Sequence, residues 1–153
     1  VCTVRLRSWL AKPDSPAKPP PENAVPDHLP TTPARNATID GEHRMQLELI
    51  AALCAAVDAK AGNEEIGLIL ERLLDFSKAH FLSEELLMRL DSYDEFDDHV
   101  EDHAEMLDAL TAMLETHRIG GTALLPGQAG KLLTFLVRHI ETRDARYASA
   151  PRV

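Results

Sequence analysis

The sequence predicts an all-α protein, an up-down-up-down antiparallel four-helix bundle behind a disordered, proline-rich N-terminal tail. Three observations lead there. Between Ile39 and Tyr147, apolar residues recur every three or four positions, the period that gathers side chains on one helical face. The periodic segments are separated by short breaks rich in Gly, Asn and Ser, and none alternates with the period of two expected of a strand. Helices of roughly 20 to 27 residues joined by short connections pack antiparallel to their neighbours.

The first helix is expected over residues 40–60, where Leu47, Ile50, Cys54 and Val57 align with His43, and it ends at Gly62-Asn63. Asn63 is a plausible N-cap for the second helix, with Glu64 and Glu65 at the positive end of its dipole. The second stripe reads Ile66, Ile69/Leu70, Leu73, Ser77, His80, Glu84, Leu87/Met88. Ser92 and Glu95 have the spacing of a capping box opening the third helix. Its stripe is Phe96, His99, His103, Met106/Leu107, Leu110 and Met113/Leu114, stopped by Gly120-Gly121. The last helix begins between Thr122 and Gly127, with Pro126 suited to its first turn, and runs out near Tyr147.

Eight of the ten prolines lie between Pro13 and Pro33, which predicts an extended or disordered segment. The expected organisation is therefore a flexible tail over 1–37, a bundle over 38–148 and a C-terminal tail over 149–153. Trp9 is a candidate anchor for the N-terminal tail. A net charge of −9 and the absence of a basic stripe argue against nucleic acid and anionic membrane as partners. No stretch approaches the ~18 consecutive apolar residues of a membrane-spanning helix. Without a continuous signal-peptide core at the N-terminus, a cytoplasmic location is expected. Cys2 and Cys54 do not suggest a disulfide framework; Cys54 reads as a small core residue.

Five histidines interrupt the apolar stripes: His43; His80, four before Glu84; His99 and His103, four apart; and His139, five before Asp144. A spacing of four places two side chains one turn apart on one face, so each such pair can aim at a common interior point. A single histidine on a core stripe is ordinarily a satisfied core residue. Five of them with two carboxylates are different, because each buried polar group left unpaired costs about 1–3 kcal/mol. A metal centre satisfies them together. A structural zinc site, a closed set of four ligands, leaves three of the seven groups unexplained. The Glu-x-x-His pairs of ferritin-like di-iron proteins are missing from the interior positions. His139 and Asp144 stand roughly 140° apart on a regular helix of about 3.6 residues per turn, so both reach one site only if the helix widens, as in a π turn between Leu136 and Asp144. His28 in the tail and His117 near the end of the third helix are expected to be solvated.

The motifs together resemble the hemerythrin family: D-x-x-H at Asp40–His43, H-F-x-x-E-E at His80–Glu85, H-x3-H at His99–His103 and H-I-x3-D at His139–Asp144, with Met88 and Tyr93 also in place. The similarity spans Ile39 to Tyr147. It implies two iron ions, one bound by His99, His103 and His139 and the other by His43 and His80, bridged by Glu84, Asp144 and an oxo or hydroxo group. It further implies one open position on the His43/His80 iron, where O2 binds reversibly. Leu47 and Leu136 are candidates for an apolar wall around that position. The expected function is thus that of an O2 carrier, store or scavenger, supplying an O2-consuming enzyme, and not itself an enzyme. The alternatives are an O2 or redox sensor with a signalling partner, and a di-iron enzyme that reduces peroxide or nitric oxide.

Overall fold

The computed structural model describes residues 32–120 and 125–150, with side chains described over 37–120 and 127–150. The expectations placed on Cys2, Trp9, His28 and the proline-rich segment before Thr32 lie outside the described residues, whereas residues 32–37, expected in the tail, are helical. Four long helices make the bundle: α1 (Thr32–Asp58), α2 (Asn63–Leu90), α3 (Phe96–Arg118) and α4 (Leu125–His139). A π turn (Ile140–Asp144) and a short α5 (Ala145–Ser149) continue α4. Among the described residues there is no strand, and no helix is long and apolar enough to cross a membrane.

The helix boundaries follow local chemistry, with three departures from expectation. Helix α1 begins at Thr32, not near residue 40, with Pro33 in its first turn, where the missing N–H is not needed. Gly62, extended at ψ 152°, precedes α2, and no side chain caps it; Asn63 is already helical. The capping box also does not form. Ser92 lies in the left-handed region (φ 52°), its N–H bonded to Arg89 O, so it terminates α2 and does not start α3. Helix α3 ends as predicted at Gly120, whose φ of +84° suits a residue without Cβ, and whose N–H is donated to His117 O.

Apolar residues from the four helices form one large core that includes Leu53, Leu70, Leu73, Leu110, Leu133 and Leu136, with Cys54 buried among them. A second, smaller cluster of Ile39, Met88 and Tyr147, with Leu87, Tyr93 and Phe96 against it, closes the other end. Five of the buried histidines and carboxylates fall between residues of these two clusters, and His80 and His139 stand beside Phe81 and Ile140 of the large core. His43 lies between Ile39 and Leu47, Glu84 between Phe81 and Met88, His99 and His103 between Phe96 and Met106, and Asp144 between Ile140 and Tyr147. The polar layer is therefore walled by hydrocarbon on both sides.

The left-handed residue at the end of α3 supplies a direct test. Gly120→Ala should lower stability by about 1 kcal/mol, the cost of placing a Cβ in that conformation. Chemical denaturation would read this as a lower midpoint with unchanged slope.

Candidate metal centre

All seven residues singled out by their spacing converge in this layer, and none is more than 5% exposed. Their donor atoms form two overlapping groups, Glu84/His99/His103/His139/Asp144 and His43/His80/Glu84, in each of which the atoms lie within 4.8 Å of one another. Glu84 belongs to both. Asp144 also reaches both sides: Oδ1 is 3.0 Å from the Nε2 atoms of His99 and His139, and Oδ2 is 2.9 Å from His43 Nε2. Glu84 Oε2 stands 3.4 Å from His103 Nε2 and 3.6 Å from His99 Nε2.

Asp144 reaches this point because the helix widens where the spacing requires it. Over Ile140–Asp144 the backbone forms a π turn, and the Ala145 N–H is donated to Ile140 O, five residues back. The longer turn brings residues five apart toward one face. His139 and Asp144 consequently face the same interior point, and Tyr147 still points into the end cluster.

Protein groups alone do not satisfy this layer. Both oxygens of Glu84, both oxygens of Asp144 and His43 Nε2 are buried without a hydrogen-bond partner, despite the short approaches just described. Three ring nitrogens crowd together: His139 Nε2 lies 3.1 Å from both His103 Nε2 and His99 Nε2. Lone pairs converging this closely in a dry site suit a cation, and imidazole with carboxylate suits a transition metal. The residues present fit such an ion.

A ring of carboxylates outside the cluster fixes the imidazoles. His80 Nδ1–H is donated to Glu42 at 2.9 Å and His103 Nδ1–H to Glu85 at 3.0 Å. Asp102 lies 3.5 Å from His139 Nδ1 and is itself held by Arg143 Nε at 2.7 Å. A ring that gives its Nδ1 proton to a carboxylate keeps the Nε2 lone pair for the interior. The sequence reading did not assign these three acids. Their only signal was position, beside or one residue off the inward stripe. Phe81 stacks on His103 with centroids 4.0 Å apart, which further limits ring motion.

Two more polar residues escaped the sequence reading. Gln46 is fully buried and donates to Ser77 Oγ at 2.9 Å. His117, expected in solvent, is buried, and its Nε2–H is donated to Asn63 O at 2.7 Å. It fits there because Gly67 has no Cβ; one would stand 3.3 Å from His117 Nε2. This histidine ties the end of α3 to the start of α2, away from the donor cluster. Leu47 and Leu136 are both buried in the large core. A cavity of about 190 Å³, walled by Ile39, Ile140 and Tyr147, reaches His43, Glu84 and Asp144 from the bundle end.

Charges in the layer are strongly coupled. Burial disfavours the charge on Glu84, but His103 and His99 outweigh burial and hold its pKa down to about 2. Asp144 is likewise held below the ordinary range, burial being overcome by His139, His43 and His99. Burial opposes protonation of His99, yet Asp144 and Glu84 push it up to about 9. His43 is raised against burial by Asp144, whereas burial and the neighbouring His43 lower His80.

The Hemerythrin HHE cation binding domain matches residues 35–150 of the chain. No curated protein and no solved structure matches it.

These shifts predict how the metal-free protein responds to pH. A pKa raised in the fold stabilises fully below the unfolded value, so the His99 contribution is complete below pH 6.5 and is lost as the pH rises to about 9. His43 acts in the same sense. Glu84 runs the other way, its contribution present above 4.5 and lost as the pH falls toward 2; His80 costs stability only below 6.5. The metal-free protein should therefore melt at progressively lower temperature from pH 6.5 to 9. A bound cation, which replaces the proton on these nitrogens, should remove that decline. Melting curves followed by circular dichroism with and without metal check both outcomes.

Proposed function

This chain belongs to the hemerythrin family, and from that membership we propose that it holds a di-iron centre and binds O2 reversibly without catalysing a reaction. His99, His103 and His139 are the nitrogen ligands of one iron, His43 and His80 those of the other, and Glu84 and Asp144 bridge the pair together with an oxo or hydroxo group. The observation that carries this reading is the inequality of the two buried donor groups. One gathers three imidazoles and two carboxylates and the other two imidazoles and Glu84, which is common to both. The poorer group leaves room for an added ligand beside His43 and His80. When bound, the two ferrous ions would supply the two electrons that O2 accepts on binding and gives back on release.

The chain's own residues favour binding over reduction. Breaking an O–O bond or reducing nitric oxide requires protons delivered inside the site. Among the described residues, Glu84 and Asp144 are the only buried carboxylates, and both are used as bridges. On the far side of His43 and His80 the layer holds Gln46 and Ser77, which are neutral, and the buried hydrocarbons of Leu47 and Leu136. The cavity at the bundle end, mostly hydrocarbon in its walls but also lined by Asp40 and Glu141, reaches His43. A carrier, store or scavenger in the cytoplasm, handing O2 to an O2-consuming enzyme, is the role this reading assigns.

Anaerobically iron-loaded protein, cycled between argon and air and followed optically, tests the function. Two irons per chain and a visible band that appears with O2 and disappears under argon are expected. Zinc, or a single ion per chain, would overturn the di-iron centre; prompt irreversible oxidation would instead favour a sensor or an enzyme. The outer carboxylates give a second test. Glu85→Ala, which frees His103 Nδ1, should weaken metal affinity by roughly 10- to 100-fold while helix content is unchanged. Competition with a chelator of known affinity measures it.

A further inference from the structure

A buried polar pair lies one helical turn from His43 and His80, and the donor cluster does not use it. Gln46 Nε2 donates to Ser77 Oγ at 2.9 Å across α1 and α2, neither residue is exposed, and Gln46 Oε1 has no partner. Gln46 follows His43 by three residues, and Ser77 precedes His80 by three. On antiparallel helices these steps run in the same direction, so the pair forms a floor beneath the two imidazoles, whose centroids are 4.8 Å apart. Three residues of helix rise about 4.5 Å, within the reach of a glutamine side chain. The rest of that floor is hydrocarbon: Leu47, Ile50, Leu73, Leu74 and Phe81 are all buried.

For folding alone this is a poor choice. A carboxamide has four hydrogen-bonding positions, two donating and two accepting. Ser77 takes one of them, while the partnerless oxygen is destabilising in a layer that a leucine would fill without loss. We propose that the Gln46 carboxamide, held in place by Ser77, receives small ligands on the His43/His80 side and selects among them. Its spare N–H favours ligands with an electron-rich or anionic outer atom, such as O2 or azide, over carbon monoxide. Oε1 serves a ligand that carries a proton. Neither Gln46 nor Ser77 releases a proton at neutral pH, so the pair orients and discriminates without reacting. This inference rests on the di-iron reading.

A pair that only clamped α1 to α2 would affect stability and leave ligand binding alone, and that contrast sets the experiment. The full chain, iron-loaded and oxidised, is titrated with azide, and the azide stretching frequency is recorded for the wild type, Gln46→Leu and Ser77→Ala. Iron per chain and the melting temperature of each metal-free protein are measured alongside. Gln46→Leu should hold two irons, bind azide about tenfold more weakly and shift its stretch, with melting unchanged or raised. Ser77→Ala, which loosens the carboxamide, should move both azide readouts in the same direction by less. Azide affinity within about twofold of wild type and an unshifted stretch in both variants, with two irons per chain, overturns the proposal. Should Gln46→Leu fail to fold, Ser77→Ala decides by the same criteria. A wild-type protein without two irons fails at an earlier step, and the di-iron reading falls first.

Discussion

Five imidazoles and two carboxylates share one dry layer, and the rest of the structure answers to the electrostatic cost of putting them there. Unpaired, such groups would each cost kilocalories. Their oxygens remain without hydrogen-bond partners even though nitrogen atoms approach within 3.0 Å. The polypeptide cannot relieve that conflict, because helices on all sides of the bundle direct these buried groups at one interior point. It is relieved by a cation, and the fold is built to hold the groups poised for one.

Two features keep them poised. Hydrocarbon lies on both sides, with the large core beyond Leu47, Phe81, Met106 and Ile140 and the small cluster of Ile39, Met88 and Tyr147 closing the end. Cavities reach the layer beside His43 and beside His139. Outside the layer, Glu42, Glu85 and Asp102 take up or approach Nδ1 atoms, so the orientation of those rings is set before any ion arrives. The same arrangement makes the metal-free layer a titrating network, with carboxylates held ionised by histidines whose own protonation they favour. The polar character of the layer does not end at the donor cluster, since Gln46 and Ser77 extend it one turn along α1 and α2.

Much of this was legible in the sequence because helices convert spacing directly into facing. The stripes of α2 and α3 fell where expected, and the five-residue interval from His139 to Asp144 required the π turn found over Ile140–Asp144. Local signals were less dependable. Ser92 and Glu95 have the spacing of a capping box, yet Ser92 closes α2 in a left-handed conformation and Glu95 pairs with Arg146. His117 looked like a solvated residue in a last turn, but the gap left by Gly67 on a neighbouring helix buries it. Gln46 and Glu42 carry no periodic signal of their own, because each stands one residue before a position of the inward stripe, Leu47 and His43.

The sequence by itself determined the helical class, the inward faces and the seven residues that converge, since periodicity of 3.6 fixes which side chains share a face. Only the tertiary structure decided how the faces meet: that Asp144 directs one oxygen toward His43 and the other toward His99 and His139, that three acids stand behind the rings, and that a glutamine and a serine join beneath His43 and His80. Those facts depend on register between helices. A one-dimensional period constrains the rotation of a helix about its own axis, but it says nothing of the neighbour that rotation will meet.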